Sequence, residues 1–86
     1  MHHFDISRNF IKDEGACWIL SSTAHVREVF MSQNQITSKS ALTISEILKQ
    51  SICEGRKIVD LTNNDLEGGA NMLINLIDQS LSILLN

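Results

Sequence analysis

The chain has 86 residues, which is enough for one domain and too few for two. Its net charge is −3, and it contains no run of basic residues. Nucleic acids and anionic membrane surfaces are bound mainly through Lys and Arg, so the composition argues against both as partners. A fold this small buries a modest share of its surface, so a protein partner or a dimer interface would add stability.

The two cysteines, Cys17 and Cys53, form no Cys-x-x-Cys pair and do not make a disulfide framework. The first residues lack the apolar run of a signal peptide. The most apolar stretch, 70–85, is shorter than the roughly 20 residues that a membrane span needs, and it contains Asn71 and Asp78. We therefore expect a cytoplasmic protein with reduced thiols and no membrane insertion.

The first half of the chain has weak patterns, and no internal repeat is apparent. Isolated apolar residues in the N-terminal segment suit one short amphipathic turn that ends at Gly15. They are Phe4, Ile6, Phe10 and Ile11. Two short apolar runs, 16–20 and 26–31, predict either a β-hairpin or one continuous helix. Trp18 lies in the first run and is expected in the core.

The second half gives clearer predictions. Apolar residues at helical spacing predict a helix over 38–54 that ends at Gly55. Its N-cap is Ser38, Ser40 or Thr43, and Thr43 with Glu46 would form a capping box. Residues 57–61 predict a short buried strand, and the polar residues 62–65 predict a turn. A long apolar helix is predicted over 69–85.

The segment "EGRKIVDLTNNDLEGGANMLINLIDQSL" resembles the central signature of STAS domains, the family of anti-sigma-factor antagonists. Asp60 to Thr62 match the end of the family's strand, and Glu67 to Gly69 match its loop-to-helix junction. The likeness is closest to the small STAS subunit of bacterial lipid-transport ABC systems. It implies an α/β (α+β) domain, with about three strands packed on two to three helices. Residues 1–15 would be an extension and 16–86 the core of one domain, 1–86.

The chain departs from this family at several places. No hydroxyl stands at Glu67 or Gly68, where the family carries its phosphorylated Ser or Thr, so phosphorylation at this loop is not expected. Asn34 and Thr37 replace the glycine and aspartate of a family turn. The chain also stops at Asn86, before the family's fourth strand and last helix.

The resemblance implies a regulatory protein that binds a protein partner, a kinase-type anti-sigma regulator or a transporter ATPase, or that forms a dimer. The contact would lie at 65–71, and the candidate partner-binding residues are Thr37, Thr62, Asp65, Glu67, Gly68, Gly69 and Asn71. Glu67 suits the positive end of a helix dipole, and it could equally be an ordinary helix cap. From Ile58 onward the chain has acidic residues and no Lys or Arg, so a partner should present Lys or Arg.

The chemistry-bearing residues indicate no enzyme. His2, His3 and His25 lack the spacing of metal ligands, and Asp60 has no partner group for acid–base chemistry. We therefore predict no catalytic residue, cofactor or metal. The alternative from another class is an all-helical dimeric adaptor, with helices over 16–33, 38–54 and 57–85.

Overall fold

A computed structural model describes residues 3–50 and 56–85. It contains four strands: β1 His3–Asp5, β2 Glu28–Phe30, β3 Lys57–Asp60 and β4 Leu81–Leu84. It contains three α-helices: α1 Lys12–Ser22, α2 Ala41–Lys49 and α3 Ala70–Ile74. Short 3₁₀ turns precede two of the helices, Ser38–Ser40 before α2 and Glu67–Gly69 before α3.

The four strands form one parallel sheet in the order β1-β2-β3-β4. Each strand therefore pairs with the next strand along the chain, and a helix lies between them in sequence. Crossovers between parallel strands are right-handed almost without exception. Successive right-handed crossovers in this order place every helix on the same face of the sheet. The opposite face is left open.

The strands and the loops that follow them repeat one another. Each has an apolar residue, a second apolar residue two positions later, an Asn three positions after that, and another apolar residue beyond it. The three copies are Phe4-Ile6-Asn9-Ile11, Val29-Met31-Asn34-Ile36 and Val59-Leu61-Asn64-Leu66. Repeats of this kind stack one strand per unit into a continuous sheet. The expectation of no internal repeat is therefore wrong.

Asn34 links the second repeat to the first. Its side-chain Oδ1 accepts hydrogen bonds from the backbone N–H groups of Asn9 (2.7 Å) and Ile11 (3.4 Å). Its Nδ2 donates to the carbonyl oxygens of Ile6 (3.0 Å) and Ser32 (3.2 Å). Asn34 is fully buried, so these bonds satisfy the polar atoms of its own side chain away from water.

Asn64 repeats the same arrangement one level further along. Its Oδ1 accepts from the N–H groups of Asn34 (2.8 Å) and Ile36 (3.1 Å), and its Nδ2 donates to the carbonyl oxygens of Met31 (3.0 Å) and Leu61 (3.1 Å). The residue before each repeat Asn has a positive φ: 64° at Arg8, 56° at Gln33 and 58° at Asn63. This shared conformation lets the short amide side chains of Asn34 and Asn64 reach the preceding repeat. After the Asn the loops differ, since Phe10 and Gln35 have a positive φ and Asp65 does not.

One apolar cluster lies between the sheet and the helices. Val29, Val59 and Ile83 are its residues from neighbouring strands, and Leu20, Ile44 and Leu73 are its residues from the three helices. Lys57 is also buried, and its Nζ donates to the carbonyl oxygens of Thr23 (2.8 Å) and Val26 (2.7 Å). These carbonyls lie just beyond the C-terminal end of α1, where a cation is favoured.

The α/β class is confirmed, and the all-helical alternative is wrong because a four-stranded sheet forms the centre of the molecule. The sheet has one strand more than the three expected. Residues 16–31 are neither a hairpin nor one helix, since α1 ends at Ser22 and β2 pairs in parallel with its neighbours. Trp18 is 74% exposed on α1 rather than in the core. Gly15 lies inside α1 instead of ending a turn.

The N-terminal segment was expected as an extension, but β1 pairs with β2 and Phe4 and Ile6 pack against the core. The predicted strand at 57–61 and the turn after it are confirmed by β3 and its loop. The helix predicted over 38–54 is confirmed for Ala41–Lys49, and Gly55 lies outside the described residues. Thr37, rather than Thr43, caps the preceding 3₁₀ turn by accepting from the N–H of Lys39.

The long helix predicted over 69–85 is wrong. The α-helix covers only Ala70–Ile74, and Leu81–Leu84 form strand β4. Between them, Asp78 Oδ1 accepts from the N–H groups of Ser80 (2.7 Å) and Leu81 (3.0 Å), which makes a tight turn. Asp78, Gln79 and Ser80 make this turn within the apolar stretch, and pairing with β3 decides the structure of the segment that follows.

Candidate functional site

The open face of the sheet carries two rows of side chains that cross all four strands. Alternate residues of each strand are buried in the core, and the residues between them point to the open face. The lower row, toward the beginnings of the strands, consists of His3, Glu28, Ile58 and Ser82. The upper row, toward their carboxyl ends, consists of Asp5, Phe30, Asp60 and Leu84. We call this surface the open face.

The upper row places an aromatic ring between two carboxylates. Phe30 is paired in register with Asp5 on one side and with Asp60 on the other. These three residues line a depression of about 490 Å³ together with Ser7, Arg8 and Ser32. Two carboxylates and one guanidinium border the depression, so its charge is negative at neutral pH.

Both carboxylates are anchored in the same way. The backbone N–H of Ser7 donates to Asp5 Oδ1 (2.9 Å), and that of Thr62 donates to Asp60 Oδ1 (2.9 Å). The Thr62 hydroxyl adds a second bond to Asp60 Oδ1 (2.7 Å). The backbone and side-chain hydrogen bonds from Ser7 lower the pKa of Asp5, so this carboxylate is charged at neutral pH.

The lower row has a different character. His3 Nδ1 lies 3.2 Å from Glu28 Oε1, and the His3 ring packs against Phe30 at 4.8 Å between ring centroids. Arg56 Nε donates to the Ser82 hydroxyl (2.8 Å). Arg27 and Arg56 flank Glu28 and Ile58 in a second, smaller depression. The open face is therefore negative at its upper end and carries two arginines at its lower end.

The residues predicted to bind a partner are not all brought together. Thr62 lies above the upper row, where its hydroxyl bonds Asp60. Thr37 and Asp65 form a parallel backbone bridge between two loops, and the N–H of Asp65 donates to Ile36 O (2.8 Å). Thr37 is also held by Asp13, so these two positions join the repeats.

The remaining four predicted residues lie at the start of α3. Gly69 is buried against the beginning of α2, where an added Cβ would lie 2.7 Å from Ala41 Cβ. Glu67, Gly68 and Asn71 are exposed. Glu67 has a positive φ of 46°, and it accepts the capping backbone N–H of Ala70 through its own carbonyl oxygen. Three of the four therefore remain available for contact.

Sequence reasoning missed Asp5 and Phe30, which lie in what was taken as an extension and in an apolar run. Their position in the repeat identifies both residues. Each follows the first apolar residue of a copy, as Asp60 does in the third copy. Alignment of the three copies would have placed Asp5, Phe30 and Asp60 side by side.

The other chemistry-bearing groups form no second cluster in the described residues. Within 3–50 and 56–85, no three His, Cys, Asp or Glu residues are grouped as a metal site would require. Cys17 is half-buried, and burial followed by the charge of Asp13 raises the pKa of its thiol. Cys53 and His2 lie outside the described residues.

Over the described part of the chain, no helix is long and apolar enough to cross a membrane.

Comparison with known proteins gives no relative. No family model, no curated protein and no solved structure matches this chain. The likeness to STAS domains therefore stays a prediction.

Proposed function

We propose that this chain is a non-enzymatic module that binds a protein partner on its open face. The observation that carries this proposal is the pair of in-register rows that cross β1 to β4. Stacked repeats commonly bind proteins in this way, because a row of side chains from successive strands gives a continuous surface on a rigid frame. The rows combine Phe30, Ile58 and Leu84 with charged side chains, as protein interfaces do.

The proposed partner is a cytoplasmic protein. The single described thiol, Cys17, is unpaired, which suits a reducing compartment. If the chain is a STAS relative, the partner is a kinase-type anti-sigma regulator or a transporter ATPase. If it is not, the open face still supports a regulator or adaptor that acts by docking.

The junction at 65–71 is a second candidate surface. Glu67, Gly68 and Asn71 are exposed there, next to Met72, which is 47% exposed. Gly69 and Asp65 are occupied in holding α3 and the loop in place. The junction therefore offers a smaller surface than the open face, and we rank it second.

Three matched variants separate the two surfaces, because each replaces an exposed or half-exposed Glu by Arg. Glu28→Arg changes the open face, Glu67→Arg changes the junction, and Glu46→Arg changes the outer side of α2 as the control. A partner is first captured with wild type, and its dissociation constant is then measured with purified proteins. We expect Glu28→Arg to weaken binding by about tenfold or more and the other two by less than about twofold.

Thermal unfolding of each variant shows whether the fold is retained. Loss of binding confined to Glu67→Arg would move the interface to the junction. Equal affinity of all three variants would contradict both surfaces.

A further inference from the structure

The upper row of the open face has the composition of a site for a cation. Asp5, Phe30 and Asp60 lie side by side on three neighbouring strands, which places the two carboxylates about 10 Å apart at the backbone with the ring between them. An aromatic ring attracts a cation to its face, and a carboxylate on each side adds to that attraction. No residue of α1, α2 or α3 borders this depression.

Hydrogen bonds hold both carboxylates in position and leave them able to accept further hydrogen bonds. Each anchors one oxygen, Oδ1, on the N–H two residues ahead, at Ser7 and at Thr62. The backbone bond to Asp5 and both bonds to Asp60 end on Oδ1. A carboxylate offers about four lone-pair sites, so each can accept a further hydrogen bond from an incoming group without first losing its own anchor. The same arrangement stands on both sides of Phe30.

We propose that the open face binds its partner through one arginine side chain, which lies over Phe30 between Asp5 and Asp60. This inference rests on the proposed function and names the chemistry that the partner presents. Arginine fits better than lysine because its planar guanidinium stacks on a ring and donates hydrogen bonds from both edges at once. The His3 ring packs against Phe30 from the lower row, which restrains the ring.

The charges around the row direct the arginine to this place. Arg8 is the one cation that borders the depression among the described residues, against two carboxylates. At the other end of the strands, Arg27 and Arg56 stand beside Glu28. A partner arginine is therefore attracted to the upper end of the open face and repelled from the lower end, which also orients the partner.

The test uses the purified chain alone. N-acetylarginine amide is titrated into the ¹⁵N-labelled protein, and N-acetylcitrulline amide, which has the same shape without the charge, is the matched probe. We expect the arginine probe to shift the amide signals of Asp5, Phe30 and Asp60 in a saturable way. The citrulline probe should bind at least about threefold more weakly.

Two variants test the geometry. Phe30→Leu should weaken binding of the arginine probe by about threefold, since it removes the ring and keeps an apolar side chain. Asp5→Asn combined with Asp60→Asn should weaken it by about fivefold, and the amide oxygens can still accept the anchoring bonds. The control removes two carboxylates from helices, by Glu14→Gln and Glu46→Gln, and should leave the affinity within about twofold.

Equal binding of the two probes, or unchanged binding by Phe30→Leu and by the double Asn variant, would overturn the arginine site. The proposed function fails separately. If the arginine probe binds as expected but Glu28→Arg and Phe30→Leu both keep full affinity for the partner, the site stands and the docking face does not. If the partner is lost from both variants and the arginine probe does not bind, the docking face stands and the arginine site does not.

Discussion

The strand-and-loop half of each repeat and the helical half obey different constraints. The strand-and-loop halves match in the spacing of their apolar residues and Asn and in the positive φ before each Asn. The helical halves do not match, since α1 has 11 residues, α2 has 9 and α3 has 5. Hydrogen bonds between stacked loops need the Asn in the same place at every level, whereas a helix needs only an apolar side toward the core. Directional bonds therefore preserve the repeat, and apolar packing tolerates its variation.

Among the variants that test this comparison, Asn34→Ala is expected to lose the most stability. The change removes a fully buried side chain and leaves the N–H of Asn9 and the carbonyl of Ile6 without their partner, which should cost about 3 kcal/mol of unfolding free energy. Asn71→Ala is the control, because Asn71 is exposed on a helix, and it should change stability by less than about 0.5 kcal/mol. Urea denaturation measures both.

Asn64→Ala tests the corresponding bonds in the third repeat. It should lower the free energy of unfolding by a similar amount to Asn34→Ala, because the two side chains make equivalent hydrogen bonds. If both variants lose no more stability than Asn71→Ala, the hydrogen bonds between the stacked loops do not hold the repeats together. The strands and the core would then carry that role.

A smaller effect is expected in the helical half, from Gly69→Ala. The added Cβ would lie 2.7 Å from Ala41 Cβ and 3.2 Å from Ser38 Cα, so the contact between α3 and the start of α2 must open. Overpacking of this kind costs about 1–3 kcal/mol. Gly68→Ala is a close control, since its Cβ would meet no atom within 4 Å.

We expect Gly68→Ala to leave the thermal midpoint unchanged or to raise it slightly, because Ala restricts the unfolded chain. Equal midpoints for Gly68→Ala and Gly69→Ala would show that α3 adjusts freely over α2. The helical half would then tolerate changes in packing even more readily than its variable length indicates.

The sequence predicts local structure where turn chemistry and periodicity agree. β3 and its loop combine β-branched residues with Thr62, Asn63 and Asn64, and α2 carries one apolar stripe, so both were predicted. It fails over 69–85, because the apolar residues there keep helical spacing across the turn at Asp78 that separates a short helix from β4.

The open face could not be predicted without the repeat. Its side chains come from four strands, and the sequence spacing between those strands varies with the helical halves. The three apolar positions and the Asn are the constant signal, and Phe10, which is 67% exposed, adds an apolar residue outside that pattern. Sequence reasoning placed the contact at 65–71 because this segment resembles the loop-to-helix junction of STAS domains, although Gly69 serves packing.

The smallest effect on stability is expected from a change at Asp13, which links helix α1 to the loop that contains Thr37. It lies in the first turn of α1, and its carboxylate accepts from the N–H (2.6 Å) and hydroxyl (2.6 Å) of Thr37 and from the hydroxyl of Ser40 (2.7 Å). Burial acts to raise the pKa of Asp13, but these hydrogen bonds outweigh it and the pKa is lowered. A lowered pKa in the folded state means that the charged form stabilises the fold at neutral pH, and that this contribution is lost as the pH falls below about 4.

Asp13→Asn keeps the size of the side chain and removes this charge. We expect a loss of about 1 kcal/mol at pH 7, kept small because solvent screens the exposed side of the carboxylate. The difference from wild type should shrink as the pH falls from about 5 to 3, since wild type then becomes protonated at the same position. Urea denaturation across this range measures it, with Glu14→Gln as the control on the same helix. A difference that does not vary with pH would show that the amide replaces the carboxylate fully. The two halves would then be joined by shape and packing, without help from this charge.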